Sequence, residues 1–297
     1  MALTPHKDKL LAAMENPKCP QEDVAILKKA LERYDQWITG MNKVKTAGKQ
    51  RVVDLTRLLN EYKDFLEVEL IARSESAFLI RQKGQLKLDN SIIEEFLIQL
   101  IDKRILEGLP SFELNIGPQT AFMSLAFTPV NLAALGGKPP LELKEKDADF
   151  ALGKTIYFKF SPDPSFSNIK TSEGKLILAV LAAECKVNLD KTMFQEAAGT
   201  AARLKQGCPM SRYYLLVEYL DMEPEDCRLT AIDNVFLMRH AKRLPFEKRN
   251  KYDEVRRQHK SHSIDAEIIW RFTQEIQNFV KSVWYDPAKA LERGSFI

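Results

Sequence analysis

Two short segments in the middle of the chain carry residue types that metal-dependent chemistry needs. The first ends at Asp163, and the second, Glu184, Cys185 and Lys186, begins 21 positions later and directly follows the apolar run 176–183. The length of that run and its β-favouring residues predict a buried strand. Because residues two apart on a strand share a face, Glu184 and Lys186 should point the same way and Cys185 the opposite way.

A hairpin would bring the two segments together. A turn over 171–174 would allow 165–169 to pair antiparallel with 175–184. This pairing puts the partner of Glu184 close to Asp163. The spacing therefore predicts that the two carboxylates lie side by side.

These groups would form a site made of oxygen ligands. The carboxylates of Asp163 and Glu184, with the carbonyl oxygen of Cys185, suit Mg²⁺, which keeps several waters and binds to carboxylates and substrate phosphate. Such an ion polarises a phosphate and lowers the pKa of a bound water. Lys186 would orient that water and neutralise the charge that develops on the phosphate.

The chain reads as three segments. Residues 1–88 have helical periodicity, which predicts a helical N-terminal subdomain. Residues 89–225 alternate predicted strands and helices and form the predicted nuclease core. Residues 226–297 form a basic segment with a C-terminal helix, predicted to contact DNA or to mediate dimerisation. The predicted strands are 112–116, 121–127, 155–161, 176–184 and 212–220, and the later helices are 91–105, 189–206 and 263–284. This order favours an α/β (α+β) fold with a mixed central sheet flanked by helices.

Composition narrows the class of protein. With 297 residues and 45% hydrophobic content, the chain can bury its own core. Its four cysteines show no paired spacing, and we find neither a signal peptide nor an apolar stretch of about 20 residues, which predicts a reduced cytoplasmic protein without a membrane span. The absence of a GxxxxGK[ST] loop argues against a nucleotide cofactor.

Basic residues are concentrated near the C-terminus. Nine lysines and arginines stand against three acids between residues 239 and 260. Such an excess can bind a polyanion by releasing counterions, although most clusters of this size are solvated surfaces. The candidate DNA contacts, chiefly to phosphates, are Arg239, Lys242, Arg243, Lys248 and Arg249.

The motif and its surroundings resemble a known family. The stretch SPDPSFSNIKTSEGKLILAVLAAECKVNLDKTMFQEA is similar to the core of PD-(D/E)xK nucleases. More narrowly, ECKVNLDKTMFQEA, preceded by KDADFALGKTIYFKFS and followed by RYYLLVEYLDM, resembles BbvCI-like Type II restriction endonucleases. The close resemblance covers Glu94 to Met222.

The resemblance implies a PD-(D/E)xK restriction-endonuclease-like core that cleaves both strands of a short specific site in double-stranded DNA with Mg²⁺. In this pattern Asp163 and Glu184 are metal ligands and Lys186 is the catalytic lysine. The family core often adds an acidic residue from the helix before the sheet, and Glu94 is the candidate.

The sequence is compatible with more than one ligand set, subunit arrangement and function. Asp147 and Asp149 precede another strand and compete with Asp163 as the first metal ligand. Relatives include enzymes of two different subunits that each cut one strand, so we expect a homodimer or a heterodimer with a related subunit. The competing functions are a structure-specific repair or recombination nuclease and a catalytically inactive DNA-binding partner subunit.

Overall fold

The described part of the chain, residues 3–85, 87–282 and 286–295 of a computed structural model, contains a mixed sheet of five strands. The strands are β1 (Asn115–Phe127), β2 (Leu141–Phe160), β3 (Ser172–Leu189), β4 (Arg212–Leu220) and β5 (Asn234–Lys242). The first three pair antiparallel in sequence order, while β3, β4 and β5 pair in parallel.

Helices cover both faces of this sheet. They are α1 (Pro5–Met14), α2 (Gln21–Lys43), α3 (Gly48–Lys63), α4 (Ala77–Gln85), α5 (Asn90–Leu100), α6 (Lys191–Gly207), α7 (Tyr252–Ser261), α8 (Ala266–Lys281) and α9 (Pro287–Arg293). Wider π-helical turns continue α3 through Asp64–Ala72. Among the described residues, no helix has the length and apolarity needed to cross a membrane.

The middle of β3 is buried on both faces, which explains its nearly continuous apolar run. Leu181 and Ala183 pack into the core formed with α1, α2, α3, α5 and α8. Ala182 belongs to a second core under α6 on the opposite face. Small residues allow helices to approach the sheet on both faces at this point.

The structure confirms the mixed α/β architecture and corrects several elements. The predicted strands 112–116 and 121–127 form the single strand β1, because a bulge and the positive φ of Gly117 carry the chain through Gly117-Pro118. β2 begins 14 residues before the predicted residue 155. Its first half carries exposed charges that hide the apolar alternation expected of a strand.

The C-terminal basic segment contains more regular structure than its composition indicates. β5 and α7 both lie in this segment, so the sheet extends beyond residue 225, the predicted end of the core. The main core runs from Leu10 in α1 to Ile276 in α8 and thus includes the N-terminal helices. The three-segment division of the chain stays a prediction.

A buried polar network attaches α1 to α5. The His6 ring contacts the Ser91 hydroxyl through Nδ1 and the Tyr62 hydroxyl through Nε2, each at 2.8 Å. The His6 amide donates to Glu95 at 3.0 Å. Burial, assisted by the nearby Lys63 ammonium, lowers the pKa of His6 to about 3, so the folded protein holds this ring neutral at physiological pH.

The His6 pKa predicts a loss of stability in mild acid. An unfolded histidine takes up a proton near pH 6.5 and the folded one only near pH 3, so falling pH favours the unfolded state between those values. From pH 7 to pH 5 this contribution costs about 2 kcal/mol. We expect His6→Gln to lose correspondingly less stability over this range than the wild type in urea unfolding measured at both pH values. Equal losses would contradict the burial of a neutral His6.

Candidate active site

The strands β2 and β3 separate at the centre of the sheet. Their pairing ends at Phe150 and Ala183, and β3 continues from there alongside β4. Asp149 precedes the last paired residue of β2, and Glu184 follows the last paired residue of β3. The fork in the sheet therefore places one carboxylate on each of the separating strands.

Asp149 stabilises this fork through its side chain. Its Oδ2 accepts the Cys185 backbone N–H at 2.9 Å, which supplies an acceptor where the strand pairing ends. Its Oδ1 lies 3.3 Å from the Lys87 ammonium, and 14% of the side chain is exposed. Asp149 is thus fixed next to the Glu184–Lys186 segment.

Glu184 and Lys186 share a face of β3, as strand alternation predicts. Glu184 Oε2 lies 2.8 Å from the Lys186 ammonium, and the Tyr213 hydroxyl donates a hydrogen bond to Oε1. Cys185 is fully buried in the core on the opposite face. The acid and the lysine of the motif therefore form a contact pair at the fork.

The contact between Glu184 and Lys186 favours the charged form of each side chain. Burial raises the pKa of Glu184, but the Lys186 ammonium and the Tyr213 hydroxyl outweigh burial and leave the pKa lowered. Burial likewise lowers the pKa of Lys186, and the Glu184 carboxylate outweighs it, so the pKa is raised. In this contact pair Lys186 is therefore an ammonium at neutral pH.

Glu94 belongs to α5, which packs against β1, β2 and β3. It is 3% exposed and forms an ion pair with Lys9 of α1 at 3.1 Å. Burial and the nearby Asp149 carboxylate raise its pKa against the opposing effect of Lys9. The acidic residue expected from the helix before the sheet is therefore electrostatically coupled to Asp149.

Asp163 does not lie near Glu184, and the predicted pairing was wrong. Phe160 pairs with Ser172, so 161–171 form the hairpin loop, and 165–169 are not a strand. The ladder from Phe150 to Phe160 separates Asp163 from the fork by roughly 30 Å of strand.

Asp163 has a local role in that loop instead. It is partly exposed and accepts hydrogen bonds from the Ser165 hydroxyl at 2.7 Å and the Ser165 N–H at 3.0 Å. These bonds lower its pKa to about 2. The other alternative, Asp147, is exposed and accepts from the Thr120 hydroxyl of β1 at 2.7 Å. Asp149 is thus the aspartate that contacts the Glu184–Lys186 segment.

The donor set at the fork fits a hard divalent ion. Two carboxylates and a main-chain carbonyl supply oxygen atoms, and Mg²⁺ typically takes one or two carboxylates and keeps several waters. Within the described ranges, no group of three or more His, Cys, Asp or Glu side chains has the arrangement of a metal site. Two carboxylates and one carbonyl would leave the other positions around such an ion to water and substrate oxygens.

A cleft of about 470 Å³ opens beside Lys186. It lies between the region of α4 and α5, the ends of β3 and β4, and the segment that joins β5 to α7. The cations that line it are Lys83, Lys87, Lys186, Arg243 and Arg249, and the acids are Glu67 and Asp89. Lys186 thus links the fork to a groove whose lining holds more cations than acids.

The predicted DNA contacts divide into one buried residue and four accessible ones. Arg239 is 1% exposed, and its guanidinium donates to Glu218 at 2.7 Å, so it cannot reach a phosphate. Arg239 is buried because β5 lies beside β4, whose Glu218 it contacts. This burial cannot be predicted from the residues next to Arg239 in the sequence. The accessible residues form ion pairs at the surface, namely Lys242 with Glu223, Arg243 and Arg249 with Asp221, and Lys248 with Glu254.

Two residues that contact the fork have no motif of their own. Tyr213 is the second residue of β4 and reaches Glu184 because it pairs with Ala182, two residues before Glu184 on β3. Lys87 reaches Asp149 from the connection between α4 and α5. Tyr213 reaches the fork through a parallel strand pairing, and Lys87 reaches it from a connection between helices. Neither position can be predicted from the spacing of residues in the sequence.

The buried state of Arg239 predicts a stability defect rather than a DNA-binding defect. Because Glu218 would lose a buried partner, Arg239→Ala should cost about 3–5 kcal/mol of unfolding free energy. Lys242→Ala, at a side chain that is 72% exposed, should change stability by less than about 0.5 kcal/mol. Urea unfolding measures both. An Arg239→Ala protein that keeps its stability but loses DNA affinity would contradict the assignment.

A mixed sheet with acidic residues on both strands of its fork, and a lysine two positions after the second acid, defines a PD-(D/E)xK restriction-endonuclease-like fold. The comparison with protein families agrees with this class. The chain belongs to the Bpu10I restriction endonuclease family, whose model matches residues 85–296.

The likeness to solved structures extends over nearly the whole chain. The chain is similar to a structure described as a native BbvCI A2B2 tetramer at low resolution, with a TM-score of 0.68 and 18% sequence identity. The match covers 96% of this chain and all of the other. At this identity the likeness shows a shared fold. No curated protein matches the chain.

Proposed function

We propose that this restriction endonuclease hydrolyses phosphodiester bonds at a short specific sequence of double-stranded DNA, with Mg²⁺ as its metal. The observation that carries the proposal is the convergence of Asp149, Glu184 and Lys186 at the fork, beside a cleft whose lining holds more cations than acids. The family match supports the same reaction class.

Each group at the fork has a chemical role in this proposal. The carboxylates of Asp149 and Glu184, with the Cys185 carbonyl oxygen, would hold the metal, so Asp149 replaces Asp163 in the predicted ligand set. A bound metal supplies Lewis-acid activation of the phosphate and of a water. The Lys186 ammonium would stabilise negative charge on the phosphate. Glu94 supports the site as a nearby acid.

DNA would lie along the basic cleft. Arg243 and Arg249 line it, and both form ion pairs with Asp221 at 3.2 and 3.5 Å. Partly exposed ion pairs of this kind contribute little, so DNA phosphates can compete with Asp221 for these arginines. Lys242 and Lys248 lie on the adjoining surface and would add contacts to the phosphate backbone.

Cleavage of both strands requires two sites, and the described part of this chain contains one such fork. We therefore propose that the chain acts as a homodimer or as a heterodimer with a related subunit, each subunit cutting one strand. The similar structure of BbvCI is an A2B2 assembly, which favours a multi-subunit enzyme.

The site assignment predicts which substitutions abolish cleavage. Asp149→Asn, Glu184→Gln and Lys186→Ala should each reduce the rate of plasmid cleavage in Mg²⁺ by roughly 100-fold or more, because each removes a ligand or charge at the reacting phosphate. Asp163→Asn is the matched control, since Asp163 lies in the distant loop, and it should retain near wild-type activity. Gel analysis of supercoiled plasmid measures all four.

The products separate the remaining possibilities. Discrete linear fragments from the chain alone indicate a homodimer, whereas nicked circles indicate a missing partner subunit. A preference for branched or single-stranded DNA would instead favour a structure-specific nuclease. Loss of cleavage in Asp163→Asn with retention in Asp149→Asn would refute the site.

A further inference from the structure

We propose that Tyr213 is a positioning residue for the metal site, which fixes the Glu184 carboxylate in the orientation that presents an oxygen to the metal. This inference rests on the proposed metal-dependent function and adds a residue outside the D…ExK pattern. Tyr213 touches neither metal nor substrate in this proposal, and it acts through Glu184.

The contact between Tyr213 and Glu184 is buried and direct. The Tyr213 hydroxyl donates to Glu184 Oε1, and Tyr213 is 2% exposed. The other carboxylate oxygen, Oε2, contacts the ammonium of Lys186. The Lys186 side chain is long and flexible, and 24% of its surface is exposed. Of the two partners of Glu184, Tyr213 is therefore the rigid one.

The surroundings of Tyr213 explain this rigidity. Tyr213 pairs with Ala182 of β3, and its N–H donates to Asp233 Oδ2 at 2.7 Å. Asp233 is in turn held by Lys205 at 2.8 Å and by Arg212 at 2.7 Å. The ring is packed in the core under α6. Both the main chain and the ring of Tyr213 are thus fixed before any ligand binds.

A fixed donor matters because Glu184 has an alternative. Without the hydroxyl, Oε1 would lose its donor in a largely buried position, and the carboxylate could rotate to place both oxygens on the Lys186 ammonium. A carboxylate in that orientation is less available to a metal. Partners that orient a ligating side chain typically contribute 10- to 100-fold in metal affinity.

The test compares two neighbouring tyrosines with metal alone. Tyr213→Phe removes the hydroxyl and keeps the ring. Tyr214→Phe is the matched control, because Tyr214 is also 2% exposed but lies in the opposite core beside Phe236 and Phe272. Mn²⁺ binding to the full-length proteins, followed by electron paramagnetic resonance without DNA, should weaken roughly 10-fold or more in Tyr213→Phe and stay unchanged in Tyr214→Phe.

Cleavage kinetics provide the second readout. In Tyr213→Phe we expect an unchanged KM for DNA, and the lost rate should return at high metal concentration. In a Glu184→Gln background, Tyr213→Phe should weaken Mn²⁺ binding no further, because the residue that Tyr213 orients is already impaired. This non-additivity separates positioning from a general loss of structure.

The outcomes that overturn the inference are distinct from those that overturn the function. Wild-type Mn²⁺ affinity in Tyr213→Phe, or equal weakening in Tyr213→Phe and Tyr214→Phe, refutes the positioning role while leaving metal-dependent cleavage intact. Additive losses with Glu184→Gln refute it as well. If wild-type protein binds no Mn²⁺, or Glu184→Gln binds it normally, the proposed metal site fails and the inference fails with it.

Discussion

The separation of β2 from β3 is the constraint on which the site depends. A strand that loses its neighbour leaves backbone groups without partners, and a buried amide without an acceptor is costly. Here the Asp149 carboxylate accepts the Cys185 amide at the fork. The same side chain that completes the backbone hydrogen bonding is thereby held against the segment that carries Glu184 and Lys186. The Asp149 carboxylate thus supports the backbone at the fork and is also a candidate metal ligand.

The fork is held in place by cores on both sides of the sheet. Cys185 anchors the segment in the core beneath the N-terminal helices, while Tyr213 and α6 lie under the other face. Alternation along β3 assigns each side chain to one of these environments. The charged pair Glu184 and Lys186 is consequently partly covered by protein, and its low exposure strengthens the interaction between the two groups.

A network of buried charged side chains connects α3 to the strands β4 and β5. The Lys63 ammonium of α3 contacts Glu67 at 2.5 Å and Glu218 of β4 at 2.9 Å, and Arg239 of β5 contacts Glu218. Buried ion pairs are weak evidence for stability, because desolvation opposes the attraction. Their geometric demands are strict, however, so this network aligns α3 with the strand ends that border the cleft. That alignment explains why a basic residue of the C-terminal segment is unavailable to DNA.

Local features of this protein can be read directly from its residues. The apolar run of β3, the shared face of Glu184 and Lys186, and the strand Arg212–Leu220 follow from periodicity, which depends on neighbours a few positions apart. That Asp149 rather than Asp163 lies beside Glu184 and Lys186 is visible only in the tertiary structure, because it depends on where the hairpin turns. The first half of β2 carries exposed charges that obscure its alternation, so the register could not be read from the residues. The burial of Arg239 and the contact of Tyr213 with Glu184 arise from strand pairings between distant parts of the chain, and local spacing contains no record of them.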